Sequence, residues 1–98
     1  AVPLAPPERR ARAFAVAPAV ALSDRASSRT TVAEVNAADR PALLARLTAA
    51  IAAQGLTVHS AHIATYGERA VDVFYLTGRD GRKLSAAAQA ALRTALLD

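Results

Sequence analysis

The chain has 98 residues, 53% of them hydrophobic, and a formal net charge of +4 at pH 7; a chain of that length builds one small core. It has no cysteine, which removes disulfides and thiolate metal sites and makes the cytoplasm the expected compartment. Its apolar stretches are broken well short of the ~18 residues a membrane helix needs, and residues 1–21 carry Pro and Arg where a secretory signal needs an apolar heart, so no membrane partner and no export signal are expected.

Of the 12 Lys and Arg residues, only Lys83 is a lysine, and the arginines are scattered from Arg9 to Arg93 without forming a stripe. The basic balance is therefore read as composition, and no nucleic-acid partner is expected. The chain begins at Ala1 and contains no Met, which makes a piece of a longer protein the expectation.

Residues 1–12 mix three prolines with four charges and show no periodicity, the pattern of a linker, so one domain is expected over 13–98. From Phe14 to Leu22 the even positions are bulky and the odd ones are Ala, which predicts a strand with one packed face; Pro18 cannot donate to a ladder and assigns it to a sheet edge. Thr30 to Asn36 is β-branched and predicts a second strand, antiparallel to the first. Asp39 is placed to cap the next helix with Pro41 in its first turn, and Leu43, Leu44, Leu47 and Ile51 then recur at helical spacing until Gly55, which predicts a helix over 40–54.

Leu56 to Tyr66 reads as a strand in which Val58 and Ile63 have opposite parity, so both face the core only if a bulge falls near His59 or Ser60. Tyr66-Gly67-Glu68-Arg69 predicts a tight hairpin with Gly67 at positive φ. The return strand from Val71 to Leu76 has Asp72 as its only charged residue, which suggests a strand covered on both faces. Gly78-Arg79-Asp80-Gly81 is a turn, Ser85 an N-cap, and Ala88, Leu92 and Leu96 the stripe of a last helix. The order ββαββα is α+β: a ferredoxin-like antiparallel sheet with two helices on one face, in which strand 14–22 replaces the usual last strand at the sheet edge.

With these residues placed, the sequence resembles ACT domains, and among them the carboxy-terminal ACT domain of enzymes that uridylylate the nitrogen signal protein PII. The resemblance rests on Glu34-Val35-Asn36, on Asp39-Arg40-Pro41 with Leu43-Leu44, and on the run from His59 to Tyr75. It is close over residues 30–84 and follows only by pattern outside them. It implies a regulatory amino-acid-sensing domain with glutamine as ligand, no cofactor and no catalytic residues of its own. It further implies a second ACT domain, or another copy of the chain, as partner, and PII as a partner only of the parent enzyme. One departure is Ala42, where ACT domains usually carry Gly; its methyl group narrows the expected pocket.

The loop 36–43 offers N–H groups at a helix start to a carboxylate, and Asp39 offers an anion to an ammonium. The expected ligand-binding set is Asn36, Asp39, Arg40, Ala42, Leu43, His62 and Ile63, and the expected interface set is Val71, Val73 and Tyr75, with helices covering only the other face of that strand. Alternatives in other classes are a purely structural ACT–ACT interface whose pocket Ala42 has closed, and an ACT regulatory domain of another enzyme of amino-acid metabolism. No metal set is expected from His59 and His62, no triad forms around Ser60, and residues 78–84 lack the spacing of a phosphate loop.

Overall fold

A computed structural model describes residues 17–97. The expected linker at 1–12 and the first residues of the expected strand 14–22 lie outside them. The elements are β1 (Ala19–Ser23), β2 (Thr31–Ala38), α1 (Leu43–Ala53), β3 (Thr57–Tyr66), β4 (Arg69–Thr77) and α2 (Ala86–Leu97). They form one antiparallel four-stranded sheet in the order β1-β2-β4-β3. The architecture is the α+β, ferredoxin-like one anticipated from the element order. β1 occupies an edge beside β2, and exposed Pro18 stands just before it, where a missing N–H costs the ladder nothing.

Directly paired residues of an antiparallel ladder share a face, and two layers follow from the register. One face carries Val20, Val35, Phe74 and Leu76, which cluster with Leu47 and Ile51 of α1 and Leu92 and Leu96 of α2. Burying such side chains contributes ~1.5–3 kcal/mol each. The other face is open among the described residues: Glu34 pairs with Val73 and Asn36 with Val71, while His62 pairs with Val73 and Ser60 with Tyr75. The alternation along β4 is plain, with Ala70, Asp72, Phe74 and Leu76 buried and Val71, Val73 and Tyr75 half-buried. Both described helices lie on one side, which leaves the face of Val71, Val73 and Tyr75 as the one expected to meet a partner.

The register of β3 shifts between Val58 and Ser60, which is the bulge anticipated at His59. It brings Val58 opposite Leu76 and Ile63 opposite Asp72, so both point to the helix side. Tyr66 pairs with Arg69 across a two-residue turn whose Gly67 has φ 60°, a region open to glycine at no steric cost.

The helix expected over 40–54 begins later, at Leu43, and Asp39 does not cap it. The residue before a proline is pushed out of the α region, and the Leu43 amide donates to the Arg40 carbonyl at 3.2 Å, closing a turn over Pro41-Ala42. Ala42 sits at φ 65° and ψ 9°, the conformation that a type II turn requires at its third residue and that favours glycine. Pro41 thus belongs to this turn and not to the helix. The other end of the element is as anticipated, with Gly55 at φ 73° and its amide donating to Ala52 at 2.9 Å.

At the opposite end of the sheet, the β1–β2 loop is fastened to the start of α2 by side chains. The Thr31 hydroxyl donates to Asp24 Oδ1 at 2.8 Å and accepts the Leu84 amide at 3.0 Å, while Gln89 Nε2 donates to Asp24 Oδ2 at 2.9 Å. Lys83 Nζ donates to the Ser27 carbonyl at 2.7 Å and also to the carbonyl of Asp24. Ser85 caps α2 as anticipated, accepting the Ala88 amide at 3.1 Å.

Candidate functional site

The turn at Arg40-Pro41-Ala42-Leu43 holds the start of α1 away from β3 and β4 and leaves a groove of about 180 Å³ between them. Its rim is Asp39, Arg40, Ala42 and the first turn of α1, and its floor is Ile63, Thr65, Ala70 and Asp72. The rim loop is tied to the β3–β4 hairpin by the Asp39 amide, which donates to the Glu68 carbonyl at 2.7 Å. The Ala42 methyl group lines this groove without closing it. The volume lies below the ~300–1,000 Å³ usual for drug-sized ligands, which limits an occupant to a small molecule.

Two opposed electrostatic features meet here. No side chain caps α1 and its first turn carries no acidic residue, so its positive end is left to whatever anion enters. On the floor, Asp72 is 2% exposed and its Oδ1 accepts no hydrogen bond among the described residues. Burial, and secondarily the negative charge of Asp39, raises the Asp72 carboxyl above its ordinary pKa of 3.8.

The expected ligand set divides between two surfaces. Asp39, Arg40, Ala42, Leu43 and Ile63 line the groove. Asn36 and His62 lie on the open face: Asn36 Nδ2 donates to Glu34 Oε2 at 2.9 Å, and the His62 ring meets Tyr75 edge-on with centroids 5.6 Å apart. The cause is strand parity, since residues one apart alternate faces. His62 and Ile63 are neighbours in the chain and cannot both turn to the groove. Leu44, one of the four residues at helical spacing, is 43% exposed at the groove's rim. Asp72 was missing from the expected set, although a lone acid in an apolar strand was a usable signal.

A broader depression of about 480 Å³ lies near residues 78–85 and the end of α1. Two of its polar groups are engaged by the chain: Asp80 Oδ1 accepts the Arg82 amide at 3.0 Å, and Lys83 is held by the β1–β2 loop. The smaller groove, with its uncapped helix end and unsatisfied carboxylate, is therefore the stronger candidate. Among the described residues no three His, Cys, Asp or Glu side chains come together as a metal-ligand set, and no helix is long and apolar enough to cross a membrane.

The chain is 58% identical over 87 residues to a "Bifunctional uridylyltransferase/uridylyl-removing enzyme" of Novosphingobium aromaticivorans, a match covering 89% of this chain and 9% of that protein. A protein of the same name from Phenylobacterium zucineum is 53% identical over 89 residues, covering 90% of this chain and 10% of that protein. The chain is a relative of one segment of these enzymes. A third, from Zymomonas mobilis, is 55% identical over 76 residues, covering 78% of this chain and 8% of that one. The chain thus spans about a tenth of the length of the uridylyltransferase/uridylyl-removing enzymes it matches. No family model matches it, and no solved structure does.

Proposed function

We propose that the chain is an ACT regulatory module of a bifunctional uridylyltransferase/uridylyl-removing enzyme, lying at that enzyme's carboxy-terminal end and binding glutamine in the groove at the start of α1. The observation that carries this is the pairing of an uncapped helix end with acidic groups across a small groove. A free amino acid has one anionic and one cationic end, and such a groove complements both. The kinship with enzymes of that name supports the parent. In this scheme the module catalyses nothing, PII is engaged only by the parent enzyme, and occupancy of the groove biases nucleotidyl transfer against its reversal through domain arrangements of unequal affinity for the ligand.

Calorimetric titration of the chain with glutamine tests this reading: saturable heat is expected, lost when Arg40 and Asp39 are both replaced by Ala. Absence of heat up to millimolar glutamine removes it.

The open sheet face supports a second role for the same module. Val71, Val73 and Tyr75 remain half-buried on a face that no helix of the described residues covers, with His62 against Tyr75. A second ACT domain, or another copy of this chain, fits there. Sedimentation equilibrium checks it, with Val73→Asp expected to shift a dimer to monomer; an unassociated wild type at high concentration counts against the copy as partner.

A further inference from the structure

We infer that Asp72 is the acceptor for the ammonium group of the molecule held in the groove, and that it selects an α-amino acid over the same molecule lacking the amine. The inference rests on the amino-acid reading of the groove and assigns it a specificity residue. A carboxylate on a residue only 2% exposed is costly unless partnered, and Asp72 Oδ1 has no partner among the described residues. Like-charged Asp39 lines the same groove and adds to that cost. Arg40 also lines it, yet no ion pair joins Arg40 to Asp72 among the described residues. The neighbours across the ladders are apolar, Val35 on β2 and Ile63 on β3, and Leu43, Leu44 and Ala45 are what α1 presents to the groove.

Among the described residues no cation relieves Asp72, and the ammonium of an incoming molecule would do so. With no third metal-ligating side chain at hand among the described residues, a compact ammonium with three donors fits better than a metal ion, which needs more ligands. Asp39, Arg40 and Asp72 are the titratable groups that line the groove. Since burial raises the Asp72 carboxyl above 3.8, an ammonium that needs the ionised carboxylate binds more weakly as pH falls through that raised value.

The test is an NMR titration of the labelled 98-residue chain, following the Asp72 carboxyl carbon and the Leu43 and Leu44 amides. Wild type and Asp72→Asn are titrated with glutamine and with its analogue lacking the α-amino group. Expected are saturable shifts with glutamine, at least about tenfold weaker binding of the analogue, a similar loss in Asp72→Asn, and a higher Tm for that variant. A structural role for Asp72 would lower Tm along with affinity and would not discriminate the analogue.

Glutamine binding that is equal in Asp72→Asn, or equal for the analogue, overturns the inference and leaves the glutamine reading standing. Silence with glutamine, but a response to another amino acid that needs both its amine and Asp72, sinks the glutamine reading alone. Silence across all the common amino acids overturns both.

Discussion

Two carboxylates at opposite ends of the sheet have opposite fates. Asp24 stands exposed on the β1–β2 loop, yet Thr31 and Gln89 occupy both of its oxygens, and these bonds, the Thr31 one foremost, hold its carboxyl below the ordinary 3.8. Asp72 is buried beneath the groove with an oxygen unpaired, and burial raises it. One end of the molecule closes its own polar accounts within the fold; the other leaves an acid and a helix start to be completed by something else. An unsatisfied buried group in a small domain that satisfies comparable groups elsewhere calls for an explanation, and the proposed binding role supplies one.

The comparison can be broken most forcefully at its shared support. Phe74, fully buried on β4 between the two ends, should lose ~3–5 kcal/mol on truncation to Ala, and denaturant unfolding should show both ends melting together. At the closed end, Thr31→Val leaves the Leu84 amide and an Asp24 oxygen without partners and should cost about 1–3 kcal/mol by the same measurement. At the groove, Asp72→Asn should go the other way and stabilise by ~1–2 kcal/mol at neutral pH. Ala42→Gly, relieving a left-handed alanine at φ 65°, should add about 0.5–1 kcal/mol, read as a small rise in Tm.

Acid titration sharpens the contrast further. A raised folded pKa means that the Asp72 penalty disappears as pH falls through that value toward 3.8, so stability rises there. A lowered one means that the Asp24 contribution is present above 3.8 and is lost below it. The difference in Tm between wild type and Asp72→Asn should therefore shrink as pH falls through the raised Asp72 value toward 3.8, while the loss assigned to Asp24 appears only below 3.8. A difference that stays constant with pH would mean that Asp72 is not charged in the folded state at neutrality.

Much of the fold was legible in the sequence because period and punctuation agreed. The bulge at His59 followed from the conflicting parity of Val58 and Ile63, the edge position of β1 from Pro18, and the α2 cap from Ser85. The start of α1 was not legible, since Asp39 and Pro41 satisfy the rules for a cap and first turn equally well as those for a turn that precedes the helix. The groove was half legible. Chain proximity grouped Asn36 with Asp39 and His62 with Ile63, but the two faces of a strand separate such neighbours, and only the register reveals which of them share a surface.

β3 forms one wall of the groove, and it is an edge strand exposed along nearly its whole length. Its amides are protected chiefly by β4, so the β3–β4 hairpin is the part of the sheet that opens at least cost. Each such opening removes Ile63 and Thr65 from the groove and exposes it to water. Deuterium uptake along this hairpin is consequently a direct clock for how often the compartment breathes, and an occupant that bridges the helix start to the sheet will slow that clock at β3 before it alters anything in the locked loop at the far end.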